Sequence, residues 1–274
     1  MSFEFEIKPP SKFSIAFKEL AEYKELFYFF TWRDVKVKYK QTILGFLWAI
    51  LQPLFMTTIF ALFLGDSITQ KTRLNIPYPV FALSGMLLWG IFSGGISGAA
   101  NSMINNANII KKIYFPRLII PISSILVTVV DFFIGLIIFV FIVYIYNVDI
   151  NYLCILFLPL SLLITCLSTI GVGTFLAAIN IKYRDVKYII PFLVQGLLFL
   201  TPVLYPINIS SNSKIYFLMK LNPMSGALEL IRSIFTGYVV DIHVIILSLS
   251  SSVLLFILGV IYFKKTESYF ADLA

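Results

Sequence analysis

Histidine occurs once in these 274 residues, at His243, and cysteine twice, at Cys154 and Cys166. A single imidazole excludes most histidine-based metal sites and leaves little for a catalytic triad. The two cysteines fall in one apolar stretch, about 18 Å apart along a helix, where a disulfide needs Cα atoms within about 7 Å. Their spacing fits no metal motif, and they read as small apolar packing residues. No glycine is followed by lysine, so the phosphate-cradling Gly-x-x-x-x-Gly-Lys loop is absent. No two aspartates stand two apart, the arrangement a metal-dependent glycosyltransferase often uses. Charge is scarce as well, at 13% of residues, against about a quarter in a soluble domain. The first 23 residues are charged and lack an apolar core, so they do not read as a cleavable signal peptide.

What the chain has instead is apolar length. It is 59% hydrophobic, with a mean hydropathy of +0.92, which describes an all-α integral membrane protein. Six runs are long enough to cross a hydrocarbon core of about 30 Å. They are expected at about 43–65, 78–98, 118–146, 153–179, 188–205 and 244–263, the fourth kinked at Pro159. Together they form one membrane domain, 1–274, with its six-span bundle over 43–263.

Basic residues fix the orientation. Sixteen of the 21 Lys and Arg fall before the first span, in the loops after the second and fourth, and in the tail. The alternate side holds Lys71, Arg73, Lys214, Lys220 and Arg232. This asymmetry places both termini in the cytoplasm. The net charge of +7 then reflects loops facing anionic lipid and not a nucleic-acid partner.

Two stretches do not span. Residues 17–41 read as an amphipathic helix lying in the membrane interface, with Tyr28, Trp32, Val35 and Tyr39 on one face and Arg33, Lys36 and Lys40 on another. Residues 206–241 contain turn formers and then a helix-like stretch, 224–235, too polar to cross, which suits a short re-entrant or gate-like helical pair. Asp131 stands in the middle of the third run. An acid at membrane depth is either functional or hydrogen-bonded to polar neighbours such as Thr128. Gly90, Gly94 and Gly98, and Gly171, Gly173, Ala177 and Ala178, let helices approach closely, within one subunit or across a dimer seam. Aromatics, 16% of the chain, serve interface belts or stack on sugar rings.

Four blocks, in order, resemble a known family. They are 29–54, with Trp32-Arg33-Asp34 and Gly45-Phe46-Leu47-Trp48; 108–116, with Lys111-Lys112 and Tyr114-Phe115-Pro116; 180–206, with Tyr183-Arg184-Asp185 and Thr201-Pro202; and 221–232, with Leu221-Asn222-Pro223-Met224. The sequence is similar to the membrane subunits of polysaccharide-exporting ABC transporters, which export O-antigen, capsule-like glycans and teichoic acid.

The resemblance implies a homodimer joined by two copies of a separate ATPase subunit, which binds ATP and magnesium, with no cofactor in this chain. A polyprenyl-pyrophosphate-linked polysaccharide, O-antigen foremost, would pass between the subunits. Arg33, Lys36 and Lys40 would meet the pyrophosphate, or else ordinary anionic lipid. Tyr39, Phe46, Trp48, Trp89, Phe92, Phe199 and Tyr205 would line the channel. Asn108, Lys111, Lys112, Tyr114, Phe115, Arg184 and Asp185 would couple to the ATPase, with Arg184 and Asp185 paired. Met224, Leu228, Ile231 and Arg232 would form the outer gate. Alternatives are a teichoic acid exporter, a drug or lipid permease of the same fold, a proton-coupled carrier built on Asp131, or a membrane enzyme. Missing histidines and aspartate pairs count against the last.

Overall fold

A computed structural model of the chain describes residues 23–40, 44–72, 74–113, 115–183, 185–207, 213–236, 240–267 and 270. Among these the regular structure is helical, with no strand. The helices are α1 (Lys24–Lys40), α2 (Leu47–Thr72), α3 (Tyr78–Asn105), the single turn α4 (Ala107–Ile110) and α5 (Ile119–Ile145). A 3-10 turn, Tyr152–Leu156, then leads into α6 (Phe157–Lys182). They are followed by α7 (Val186–Leu200), α8 (Ser213–Leu221), α9 (Pro223–Thr236) and α10 (Ile242–Thr266).

Five of the six expected spans appear as long apolar helices: α2, α3, α5, the 3-10 turn with α6, and α10. The stretch expected at 188–205 differs. Its helix α7 is 15 residues long, about 22 Å, short of the bilayer core. The helix ends at Thr201, whose φ of −96° and ψ of 135° are extended. Thr201 precedes Pro202, and a proline pushes the residue before it out of the helical region. Apolar composition continues through the turn, so hydropathy alone overruns the helix. The chain still passes from one end of the bundle to the other here. Its start follows Lys182, and its closing turn reaches Tyr78 at the beginning of α3, where the Tyr78 hydroxyl donates to the Leu204 carbonyl at 3.0 Å.

The bundle is built around α3. Most of its apolar stretch is buried, 78%, against 6% for α2, so α3 is the axis and α2 a peripheral helix. Glycines allow this. A Cβ on Gly95 would meet the Thr169 side chain, and one on Gly173 would stand 2.9 Å from that of Ala99. Where α6 crosses α10, Gly171 and Gly259 face each other so closely that a Cβ on either would strike the opposite backbone. Gly95, Gly171, Gly173 and Gly259 thus serve packing within the subunit, whereas a Cβ on Gly90 would meet nothing within 4 Å.

Hydroxyls on α6 donate back to carbonyls of their own helix, as Thr165 does to Ser161 at 2.8 Å, which keeps them satisfied in an apolar core. Asn180 donates to the Ala100 carbonyl at 2.8 Å and ties α6 to α3.

A second apolar cluster closes one end. Phe30, Ile110, Phe115, Leu118, Ile181, Phe263 and Phe270 meet there, bringing α1, α4 and the ends of α6 and α10 together. Arg117 donates to the Glu267 carbonyl at 2.6 Å across the same end. This end carries the basic loops of the charge asymmetry.

Candidate functional site

Three places hold the residues singled out by sequence. The first is α1, described from Lys24 to Lys40; residues 17–22 and 41 of the expected interface helix lie outside the described residues. Phe30 is buried against Phe115, ring centroids 5.6 Å apart, while further on Lys38 and the Tyr39 hydroxyl both bond Asp131. Asp131 is twelve residues, about 18 Å, into α5. The helix therefore climbs alongside the first half of α5 and does not lie flat across its end. Of the polar neighbours open to Asp131, it is an ion pair and a phenol from another element that hold it, and not Thr128, which donates to the Ile125 carbonyl at 2.7 Å.

That placement sorts the proposed headgroup cations. Arg33 turns inward. It forks onto Asp34 at 2.7 and 2.9 Å and reaches Asn106 at 2.8 Å, so its charge is shared with a carboxylate and an amide of the subunit. Lys36 and Lys40 are exposed, Lys36 lying over the Trp32 ring at 4.9 Å. In the loop beyond α3, Asn108, Lys111 and Lys112 are exposed, as is Asp185 at the start of α7. Phe115 is not presented outward; it is wedged under α1. Tyr114 and Arg184, with the expected Arg184–Asp185 pair, lie outside the described residues.

Between α1, α3 and α5 lies a cleft of about 710 Å³. Its walls are Arg33, Asp34, Val37 and Lys38 on α1, Gly94, Gly98, Ser102 and Asn105 on α3, and Ser124, Val127 and Thr128 on α5, closed by Asn106, Asn108 and Ile109.

The second place is the set of aromatic faces. Phe46, Trp48 and Phe199 are exposed, and the half-buried Tyr205 donates to the Phe199 carbonyl. Trp89 and Phe92 are not on any open face. They sit in the core with centroids 5.4 Å apart, on the faces of α3 that the bundle encloses, and do not reach an outer face of the subunit. Tyr39 is half-buried and committed to Asp131.

The third place is the far end, where α8 and α9 form the expected helical pair. Asn222 joins them, accepting from the Met224 amide at 3.0 Å as an N-cap and donating to Thr201 at 2.9 Å. Met224, Leu228, Ile231 and Arg232 are all buried, so they are the inner face of α9 and not a surface closing over an opening. Arg232 lies 3.7 Å above the Phe81 ring and donates to the carbonyls of Pro202, at 2.8 Å, and Val203. Tyr78 and Gly85 complete this clasp; a Cβ on Gly85 would be 2.6 Å from the Val203 oxygen. Sequence reasoning had named Arg232 and, within the Leu221-Asn222-Pro223-Met224 block, Asn222, but not Tyr78, Gly85 or the carbonyls they serve. The one local signal was the Thr201-Pro202 pair, which announces the turn. Lys220 and Asp241 pair at 2.9 Å beside it. Each hydrogen bond to the other holds Lys220 above and Asp241 below its ordinary pKa.

Among the described residues no cluster of His, Cys, Asp or Glu could hold a metal ion.

Residues 25–236 match the family described as ABC-2 type transporter. A Myxococcus xanthus protein named O-antigen export system permease protein RfbA is 30% identical over 80% of this chain and 83% of its own length. A Klebsiella pneumoniae protein of the same name is 26% identical over 88% of this chain and 92% of its own. The Escherichia coli polysialic acid transport protein KpsM is 25% identical over 86% and 92%. With most of its length inside the match, the all-helical chain with its five span-length apolar helices belongs to the ABC-2 type transporter membrane family.

Proposed function

We propose that this chain is the channel-forming subunit of an ATP-driven exporter that moves a polyprenyl-pyrophosphate-linked polysaccharide, of the O-antigen kind, out of the cytoplasm. The observation that carries the proposal is the likeness, over nearly the whole chain, to permeases named for O-antigen and polysialic acid. The structure supports it physically. Helices α2 and α7 and the turn before α2 present apolar and aromatic faces outward, with Phe46, Trp48, Phe192 and Phe199 exposed, while the bundle behind them is close-packed. Two copies meeting across these faces would enclose a path walled by rings on which sugar C–H faces stack.

The ATP that drives transport, with its magnesium, is bound by two copies of a partner ATPase. That subunit would dock on the exposed Asn108, Lys111, Lys112 and Asp185 surface. The end carrying those residues and both termini faces the cytoplasm, in the inner membrane. The exposed Lys36 and Lys40 would meet the pyrophosphate headgroup, with Arg33 tied to Asp34 and Asn106 beside them.

Purification of the tagged protein from its host in mild detergent tests this reading. The expected result is a stoichiometric partner carrying a Gly-x-x-x-x-Gly-Lys loop, with ATPase activity in the complex. Deletion of the gene should leave lipid-linked glycan trapped inside the cell. A lone protein and no trapped glycan would overturn the proposal.

A further inference from the structure

The cleft between α1, α3 and α5 has a chemistry of its own. It runs from Asn105 to Gly94, eleven residues and about 16 Å along α3. Three helix faces meet in it at helical spacing: Asp34, Val37 and Lys38; Gly94, Gly98, Ser102 and Asn105; and Ser124, Val127 and Thr128. Its volume of about 710 Å³ falls within the range of small-ligand pockets, about 300–1,000 Å³.

Its charges are already answered inside the subunit. Arg33 is forked onto Asp34 and Asn106, and Lys38 is paired with Asp131. A phosphate entering the cleft would find no cation that is not shared with a carboxylate. What remains open is uncharged. The amides of Asn105 and Asn108 are exposed, with no hydrogen-bond partner among the described residues. Ser124, half-buried, donates to a carbonyl of its own helix and keeps its oxygen lone pairs for an incoming donor, while the buried Ser102 and Thr128 donate to carbonyls of their own helices. Gly98 leaves the floor open; a Cβ there would be 3.7 Å from that of Ser124, ordinary contact, whereas a larger side chain would fill the space, and at Gly94 a Cβ would already press on the Thr128 methyl at 3.2 Å. A set of neutral donors and acceptors with an apolar floor suits a sugar ring, whose hydroxyls both give and accept hydrogen bonds, better than an anion.

The geometry points to this cleft as the binding site for the sugar attached directly to the pyrophosphate of the lipid-linked cargo. The inference rests on the exporter reading and deepens it. Lys36 and Lys40, exposed on the same helix, lie within a turn of Val37 and Lys38, so a pyrophosphate held by them places its first sugar at the mouth of the cleft. The cleft thus separates two tasks: free lysines on the rim for phosphate, neutral amides and hydroxyls inside for saccharide. The subunit would thereby distinguish a glycosylated lipid from a bare one.

The test uses the complete permease–ATPase complex in lipid nanodiscs and two sets of probes: bare prenyl pyrophosphate, and prenyl pyrophosphates carrying one hexose or one N-acetylhexosamine. At least one glycosylated probe should bind about tenfold tighter than the bare one, the effect of one or two added neutral hydrogen bonds. Asn105→Ala with Ser124→Ala should bring that ratio close to one. Gly98→Leu, which fills the floor, should do the same by steric means. A photo-reactive residue at Ser124 should label the glycosylated probe. Equal binding of both probes by the unaltered complex overturns the sugar site and leaves the exporter reading standing. So does labelling of the ATPase chain or of ordinary phospholipid from Ser124. Binding of neither probe overturns both.

Discussion

Asp131 shows how far a single residue can be read from sequence. Its depth in an apolar run was plain, and so was the expectation that it needs a partner. The partners were not, because Lys38 and Tyr39 lie more than ninety positions away and nothing in either segment announces the pairing. The same holds for Arg33, a cation in a basic cluster that turns out to be consumed by Asp34 and Asn106, and for Trp89 and Phe92, whose burial follows from the central place of α3.

Lys38 is exposed and Asp131 part-buried, so their pair couples two charges that solvent still screens in part. Lys38→Met and Asp131→Leu should each destabilise the purified protein, and the double variant should lose less than their sum by about 1 kcal/mol, read in a thermal unfolding cycle. Additivity would mean that the pair does not hold α1 in place.

Arg232 allows a sharper forecast. Arg232→Met strands the Pro202 and Val203 carbonyls, which should cost about 3 kcal/mol, and Arg232→Lys should recover only part because one ammonium cannot fork onto two carbonyls. Unfolding midpoints in detergent would show the order.

At the scale of elements, the long helices were legible because about 20 apolar residues can hardly do anything else in a bilayer chain. Their ends were less so. Helix α7 stops at Thr201 though the apolar run continues, and a proline rule, not hydropathy, accounts for it. The pair α8 and α9 was legible as helical, but not which side of α9 is buried. The contact of α6 with α10 depends on Gly171 and Gly259, so Gly259→Ala should force the helices apart and cost about 3 kcal/mol. Normal stability of that variant would show that the crossing relaxes without strain.

The tie from α8 to the start of α10 is electrostatic and exposed, so its effect is small and its pH dependence has a definite sign. Asp241 is held below its ordinary pKa by Lys220, so its contribution is present above the ordinary carboxylate value and fades as pH falls through the lower folded value. Lys220 is held above its ordinary value, so its share is present below that value and fades as pH rises through the raised one. Unfolding of the wild type and Lys220→Met across pH should converge at both extremes and separate between them, more at low salt.

For the whole molecule, the family resemblance was readable from four ordered blocks, and the family match over residues 25–236 agrees with it. The internal arrangement needed coordinates, since close packing around α3 depends on which faces meet. Export should depend on the lysines left free on α1. Lys36→Glu with Lys40→Glu should lower surface glycan at least about tenfold, two reversed charges each weakening a phosphate contact. Arg33→Glu should act instead through the fold, by breaking its bonds to Asp34 and Asn106, and should lower the amount of protein in the membrane. Full glycan output from the double lysine variant would remove them from the cargo path.

The backbone contact between Gly171 and Gly259 has one more consequence. Two helices pressed together with no side chains between them cannot slide past each other without colliding, and α3 is locked to α6 by Asn180 and by glycine contacts of its own. Helices α3, α6 and α10 therefore behave as a stiff frame. Whatever widening a passing polymer demands must come from the helices hung on that frame, α2 with its sparse internal contacts and the short α7. Spin labels across α6 and α10 should report one unchanging distance through the ATP cycle, while labels on α2 and α7 report the movement of the walls.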